Sequence, residues 1–415
     1  MAVADYLSVT RASVKRGLVS GVWTSFPIDT PAFTDDGLLI EAARTNSIRN
    51  SSMQGAAVGV IGSGGALPTN WGIAGGTGLT VEVVEIAVRK GLDAIAIRLS
   101  GTTGSTFALI SFETASAIAA SEGQVRTHAT FYELGGGSLS NISAVRHELS
   151  QAGGAGSTQT VFTPDTTLSR RIATRTMPAS TTFAIPRVVL AYSSGVEIDV
   201  TLWIAAPQEE LGAKASSPIR TTGTAATRAA DDITLSDLAF FKDGQPGTIF
   251  AEFVVGDPSE NLTAVYFNDG TTNNRIQVGI WGATGQGWGF VVDGALGQAS
   301  LLAGPALAAG DTCRIALAFA ENNMRAAVNG TLSILDTSAA VPTGIDRCRI
   351  GGSSTTLSVL NASLRNIGYR SRRLSDAELV AWSGASLAAG VALGILTMGD
   401  LALKLGDSYL MMSGV

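Results

Sequence analysis

The chain holds two imidazoles, His128 and His147, so any His-based catalytic triad or multi-His metal site would have to use both. Neither lies in a motif with chemistry attached, and no G-x-S-x-G elbow, G-x-x-x-x-G-K-[ST] phosphate loop or H-E-x-x-H pair occurs. Glycoside hydrolysis needs two carboxylates held at a defined separation. Glu252, Asp257, Asp269, Asp293 and Asp311 are the candidates, but their spacing pairs none of them and no strand carries closely alternating acids. No enzymatic activity, cofactor or metal is therefore expected. Sugar binding is the chemistry best provided for, since it needs aromatic faces for the pyranose ring and amide or carboxylate groups at its edges. Trp281, Trp288 and Tyr266 supply the first, and Asn268, Asp269, Asn273 and Asn274 the second, if their loops converge. The plainer account is that the tryptophans pack on a sheet and the Asn/Asp residues serve turns, which alone explains their types. The Gly-rich stretch 282–289 joins two strand patterns, so it reads as a hairpin and not as a nucleotide loop.

The elements that must position these residues are strands. In 415 residues, 45% hydrophobic and only 15% charged, there is material for more than one core, and 49 glycines among short Val/Ile/Thr runs favour β-structure with many turns. Period-two alternation marks strands at 80–86, 94–99, 107–112, 124–133, 145–149, 158–162, 168–176, 181–192 and 196–204. Residues 114–121 read as a loop. A second series runs through 248–255, 262–267, 275–281, 287–292, 313–320, 324–328 and 332–335, with Asn329-Gly330 a two-residue hairpin signal. Cys313 alternates in phase with Ile315, Leu317 and Phe319, and Cys348 with Ile350, so both thiols are expected inside; a disulfide requires that their strands pair. Two tandem antiparallel β-sandwiches follow: an irregular N-terminal arm at 1–46, a sandwich at 47–210, a linker at 211–231, a second sandwich at 232–383 and an apolar segment at 384–415. That last segment has so few charges that an intersubunit or docking surface is expected of it.

The net charge of −6 is spread without a basic block or aromatic-basic interleaving, so no nucleic-acid partner is expected. No run of about 18 apolar residues predicts a membrane span, and residues 1–10 lack the pattern of an export signal. Synthesis in a cytoplasm is the expectation.

Several motifs carry a resemblance. They are T-R-A-S at 10–13, G-L-L-I-E-A-A-R-T-N at 37–46, S-P-I-R-T-T-G-T-A-A-T-R-A-A-D-D-I at 217–233, N-D-G-T-T-N-N-R-I at 268–276, R-A-A-V-N-G at 325–330, D-T-S-A-A-V-P-T-G-I-D-R-C-R-I-G at 336–351 and I-G-Y-R-S-R-R-L-S-D-A-E-L at 367–379. Together they resemble bacteriophage fibre or spike structural proteins, with a carbohydrate-binding-module-like jelly roll followed by a laminin-G/concanavalin A-like lectin domain. The resemblance implies a protein of the virion surface, on head or tail, made in a bacterial host. It further implies a homotrimer bound to other virion proteins that attaches to host surface polysaccharide. The alternatives are a decoration protein without a glycan ligand and a capsule-degrading glycosidase. Laminin-G-like domains also suggest a calcium site, but the oxygen-rich turns at Asp257, Asn268 and Asp269 have no EF-hand spacing. Arg44 and Asn46 are expected to satisfy backbone groups at a turn. In the last motif Ser375 and Glu378 form a capping box that Leu374 and Leu379 seat on the sandwich.

Overall fold

The structure, a computed structural model, describes residues 6–384 except 154, 155 and 355. The described residues are all-β, built from almost wholly antiparallel sheets, with one α-helix among them, Asp376–Gly384. The described chain divides into two compact units, each a sandwich of two sheets. Arg44–Arg228, together with Gly21–Thr24, make an inserted sandwich; the segments that flank it in sequence, Ser25–Ala43 with the residues before Gly21, and Ala229 onward, make a split one.

In the inserted sandwich a seven-stranded sheet is ordered Ser169–Thr176, Val125–Gly137, Glu197–Leu211, Leu92–Thr102, Thr80–Arg89, Gly59–Ile61, Gly64–Gly65. Facing it are Ser157–Phe162, Ile142–Ala152, Phe183–Tyr192, Phe107–Ser111 and Gly72–Gly75, with Ile118–Ala119 as a sixth, side-paired strand. Alternation turns Ile95, Ile97, Leu99, Ile110, Leu149, Val188, Leu190, Val200 and Leu202 inward, and they form one buried cluster. This is a jelly-roll arrangement.

At the centre of that core the two histidines stack with ring centroids 4.1 Å apart. Their bonds set their tautomers. His147 Nε2 lies 3.0 Å from the carbonyl of His128, which only accepts, so Nε2 carries the proton and Nδ1 accepts from the Tyr132 hydroxyl at 3.0 Å. By the same logic His128 Nδ1 donates to the Gln208 carbonyl at 3.0 Å. Both rings are thereby satisfied as neutral imidazoles. Burial lowers the pKa of His128 well below its ordinary value, helped by the charge of a protonated His147, and burial lowers His147 to about 4.

The split sandwich has a seven-stranded sheet ordered Leu7–Thr10, Asp232–Leu235, Arg347–Ile350, Leu262–Asn268, Arg275–Trp281, Gln286–Asp293, Leu296–Ala303. Its second sheet is ordered Thr331–Leu332, Arg325–Val328, Thr312–Phe319, Gly247–Val254, Ala362–Arg370, Gly37–Ile40, Phe33–Thr34. The run of hairpins from Leu262 to Ala303 is the concanavalin-like meander. Asn329 and Gly330 take φ of 46° and 83° in the two-residue hairpin, a conformation that Asn and Gly tolerate best. Cys313 and Cys348 lie on opposite sheets, fully buried and unbonded to each other, and burial raises both thiol pKa values. The capping box forms: Ser375 N donates to Glu378 Oε2 at 2.8 Å and Glu378 N to Ser375 Oγ at 3.3 Å. Leu374, Leu379 and Trp382 then pack on Phe250, Ala316, Ala318 and Ala327.

Three boundaries differ from those expected. Residues 1–46 are not an irregular arm through most of their described length, because Leu7–Thr10 pairs in register with Asp232–Leu235 and Gly37–Ile40 with Ala362–Leu364. The Pro-rich breaks that suggested an arm only separate short strands. Residues 211–231 are not a free linker. Ile219 N donates to Gln208 Oε1 at 2.7 Å, Thr221 N to Ser51 Oγ at 2.8 Å, and Ala226–Arg228 pairs with Arg44–Asn46. The last strand of the inserted sandwich does not stop before Pro207 but continues to Leu211. A bulge at Ala206, φ 44°, absorbs the proline, which has no N–H to offer the ladder. Glu209 is consequently buried, held 2.8 Å from Arg126. Asn46 serves backbone groups as expected, donating to the Pro207 and Ile219 carbonyls and accepting from the Ile48 and Glu209 amides. The apolar segment expected at 384–415 lies, beyond Gly384, outside the described residues.

Within the split sandwich three of the quoted motifs meet. Asp231 accepts from Arg11 Nη1 at 2.9 Å, from Lys15 Nζ at 2.5 Å and from the Glu41 amide at 2.8 Å. Lys15 also reaches Glu41 Oε2 at 3.4 Å and the Leu39 carbonyl at 2.6 Å, while Arg11 donates to the carbonyls of Ser13 and Pro27. The Arg11, Lys15 and Asp231 side chains are at most 1% exposed.

Two outcomes follow for stability. Asp231→Asn leaves two buried cations without their shared anion and is expected to cost about 3–5 kcal/mol, read as a lowered urea midpoint of the split sandwich followed by the near-UV signal of its tryptophans. The histidines make the inserted sandwich acid-sensitive: their folded pKa values are depressed, so the unfolded chain binds more protons as pH falls from about 6.5 toward 4. Stability is complete above that window and declines within it by up to about 1.4 kcal/mol per pH unit for each imidazole. Thermal melts between pH 7 and 4 should show the decline, and His147→Gln should make it shallower.

Candidate functional site

The residues expected to bind sugar lie on the outward face of one sheet or in the turn between two of its strands, and not in one place. Tyr266 and Asn268 lie on Leu262–Asn268, and the turn after it carries Asp269, Asn273 and Asn274. Trp281 ends the returning strand Arg275–Trp281, whose seven residues put it roughly 20 Å from the turn. Trp288 is opposite Gly279, near Trp281 and about two residues closer to the Asn/Asp cluster, still several residues along the sheet from it. The expected convergence does not occur, because a straight hairpin separates its two ends by the full strand length.

The turn group is occupied with its own geometry. Asp269 Oδ1 accepts from the Thr271 amide and hydroxyl at 2.8 and 2.7 Å, and Oδ2 accepts from Asn274 Nδ2 at 3.0 Å. The Thr271 hydroxyl bond, with the others, holds the Asp269 carboxyl below the usual range. Asn268 Oδ1 takes the Gly270 amide at 2.8 Å, and Asn274 Oδ1 takes the Gly294 amide at 2.8 Å. The Asn273 amide donates to Thr271 Oγ1 at 3.0 Å, and its carbonyl accepts from Ala295. Tyr266 is buried, its hydroxyl 3.4 Å from the Thr271 carbonyl, and burial raises its pKa. At the other end Trp288 is buried between Trp281 and Phe290, at centroid distances of 4.8 and 4.7 Å, and its Nε1 donates to Ser300 Oγ at 3.0 Å. Trp281 and Phe290 are half-buried, and the Arg275 guanidinium covers Phe290. Trp71, on the inserted sandwich, is a core residue whose Nε1 donates to the Asn50 carbonyl at 2.9 Å.

A better formed concavity lies on the inserted sandwich. The outward face of the six-stranded sheet carries a groove of about 600 Å³ lined by Phe107, Leu109, Arg146, Glu148, Gln159 and Arg187, among others. Register builds it. Leu109, Val189, Arg146 and Val161 lie in one cross-strand row, and Ser111, Arg187, Glu148 and Gln159 in the next. Residues one step along each strand, Ile110, Val188, His147 and Leu149, point to the other face and into the core. Glu148 and Val189 are buried although they face outward, so they form a floor; Phe107, Ser157 and Gln159 are exposed at the rim. Directly opposed on neighbouring strands, Arg187 and Glu148 make a two-point pair, Nε and Nη2 both donating to Oε1 at 3.1 and 2.5 Å. Arg146, two residues from Glu148, has no ion partner among the described residues, and its Nε is shielded from solvent without a hydrogen-bond partner.

An aromatic ring at a rim, a fixed ion pair on a floor and hydroxyl and amide groups beside them suit a polar ligand with one apolar face. The groove residues were not singled out from sequence. Their signal was present as charges of both signs at the outward positions of strands 145–149 and 181–192, but pairing them required the register. Among the described residues no group of three or more His, Cys, Asp or Glu is placed to hold a metal ion.

No protein-family model matches this chain, and no curated protein matches it. Among solved structures, it is similar to the N-terminal CBM22-1-CBM22-2 tandem domain of Xyn10C from Paenibacillus barcinonensis at 10% identity and a TM-score of 0.25, over 79% of this chain and 94% of that one. It is likewise similar to domains LG4-5 of the mouse laminin α1 chain at 13% identity and a TM-score of 0.25, over 83% and 94% of the two chains. At these scores neither likeness bears on function.

The turn and the tryptophans separate in a test. Trp288→Ala should destabilise the split sandwich by about 3–5 kcal/mol, whereas Asp269→Ala and Asn274→Ala should lower its melting temperature slightly and leave polysaccharide retention in affinity electrophoresis unchanged. Loss of retention in either turn variant with an unaltered melt would assign the turn to binding.

Proposed function

We propose that this protein is a fibre or spike subunit of a phage or phage-like particle, without enzymatic activity, that attaches to bacterial surface polysaccharide. The observation that carries the glycan part is the groove on the inserted sandwich, which the exposed Phe107 ring lines together with the Glu148–Arg187 pair, Gln159 and Ser157 on a rigid sheet. A preformed groove on a sheet costs a sugar little ordering on binding, which is what a weak, repeated contact requires. The particle part is supported by the motifs at 10–13, 37–46, 217–233 and 367–379, and a homotrimer is part of the same reading. Three copies would raise the effective concentration of weak sites without any new contact. The apolar composition of residues 385–415 supports their use as a docking segment.

The test is an array of bacterial capsular and envelope polysaccharides probed with the full-length protein, with Phe107→Ala alongside. Retention on at least one polymer, weakened roughly tenfold by removing the ring, an effect of about 1.4 kcal/mol, is the expected result, without release of reducing ends. Failure to bind any polymer would leave a decoration protein, and appearance of reducing ends would make it a glycosidase.

A further inference from the structure

Resting on the reading of the groove as a glycan site, we infer that the sugar it takes is acidic, a pyranose carboxylate held by Arg146 while Phe107 covers an apolar face of the same or the adjoining ring. The groove's ionisable lining is Arg146, Arg187 and Glu148. Arg187 and Glu148 neutralise each other through their two-point contact, which leaves the Arg146 charge uncompensated in a partly enclosed site. A guanidinium in that position wants a planar, two-oxygen anion, because the N–H donors of its two Nη groups are parallel and a carboxylate accepts both at once. Its Nε is shut off from solvent without a partner, so compensation for the partly buried charge has to come at the Nη end, where a carboxylate would supply it. A neutral sugar hydroxyl offers one oxygen and no charge.

The spacing fits a ring and its substituent. Phe107 is in register with Ala191 and Ala144, one pleat repeat along from the row that contains Arg146 and two strands away. Two strand spacings of about 10 Å and a pleat repeat of about 7 Å put their backbones about 12 Å apart, a span that a pyranose bearing a carboxyl group would bridge between the Phe and Arg side chains. Glu148 lies one row beyond Arg146, on the side away from Phe107, and both Arg187 bonds fall on its Oε1, so Oε2 is left as an acceptor for sugar hydroxyls that also repels any anion not anchored on Arg146. The groove thus presents an aromatic ring at one end, a carboxylate-binding cation in the middle and a hydroxyl acceptor beyond it.

The experiment measures affinity electrophoresis of the full-length protein against polygalacturonate, alginate, hyaluronan and polysialic acid, each beside its carboxyl-reduced form, with dextran sulfate as a bare polyanion. At least one acidic polymer should bind tenfold or more tightly than its reduced form. Arg146→Gln should abolish that difference, Arg146→Lys should recover part of it, and thermal melts should confirm that both variants are folded. Equal binding of an acidic polymer and its reduced form, an unaltered preference in Arg146→Gln, or dextran sulfate binding as tightly as the best carboxylate polymer would each overturn the inference while leaving a glycan site standing. Silence toward every acidic and neutral polymer would overturn the glycan reading and the inference with it.

Discussion

The Asp231 carboxylate is the constraint on which the split sandwich depends. Charged side chains are almost never fully buried unless each is paired and hydrogen-bonded, since desolvation costs several kcal/mol per ion. Here one anion lies within bonding distance of Arg11 and Lys15, and the strand that begins at the next residue, Asp232–Leu235, pairs with Leu7–Thr10. The ion cluster and the strand pair therefore set each other's position. The segments they join are more than two hundred residues apart, with Arg11 and Asp231 separated by 220. Closing so long a loop costs only logarithmically more than closing a short one. What the closure demands is that Arg44–Arg228 form its own core, and the buried cluster around Ile95, Leu149 and Val188 provides that.

The inserted sandwich divides its polar chemistry between its faces. Its interior holds a neutral network in which the His128 and His147 rings, Tyr132 and backbone carbonyls satisfy one another. On the outward face of the same strand lie Arg146 and Glu148, each adjacent in sequence to His147. Strand alternation keeps the two sets apart: a one-residue slip of Ile142–Ala152 would bring Arg146 and Glu148 into the core and the His147 ring into solvent. The register that protects the core is thus the register that builds the groove, and the site inherits the rigidity of the sheet.

Much of the architecture was legible from patterns that physics makes local. Period two located the strands of both sandwiches, Asn329-Gly330 marked a tight hairpin, and Ser375 with Glu378 marked the helix start, because each depends on neighbours within a few residues. The same locality explains what went astray. Asp269 and Asn274 have the residue types of a sugar site and of a turn, and they bond each other within the turn. Pro207 signals a strand end in sequence, yet a bulge at Ala206 lets the strand run on to Leu211. The segment before Asn46 reads as irregular because its strands are short and these partners, Asp232–Leu235 and 362–364, lie far away along the chain.

By itself, then, the sequence determined the all-β class, the positions of most strands, the inward-facing cysteines and the turn chemistry, since backbone preference and side-chain alternation act over two to four residues. Only the tertiary structure decided that the N-terminal strands complete the C-terminal sandwich, that Asp231 gathers Arg11 and Lys15, and that Arg146, Glu148, Arg187 and Phe107 share a groove. Those outcomes depend on strand register and on pairing between distant segments, and neither is encoded in the spacing of any one stretch of chain.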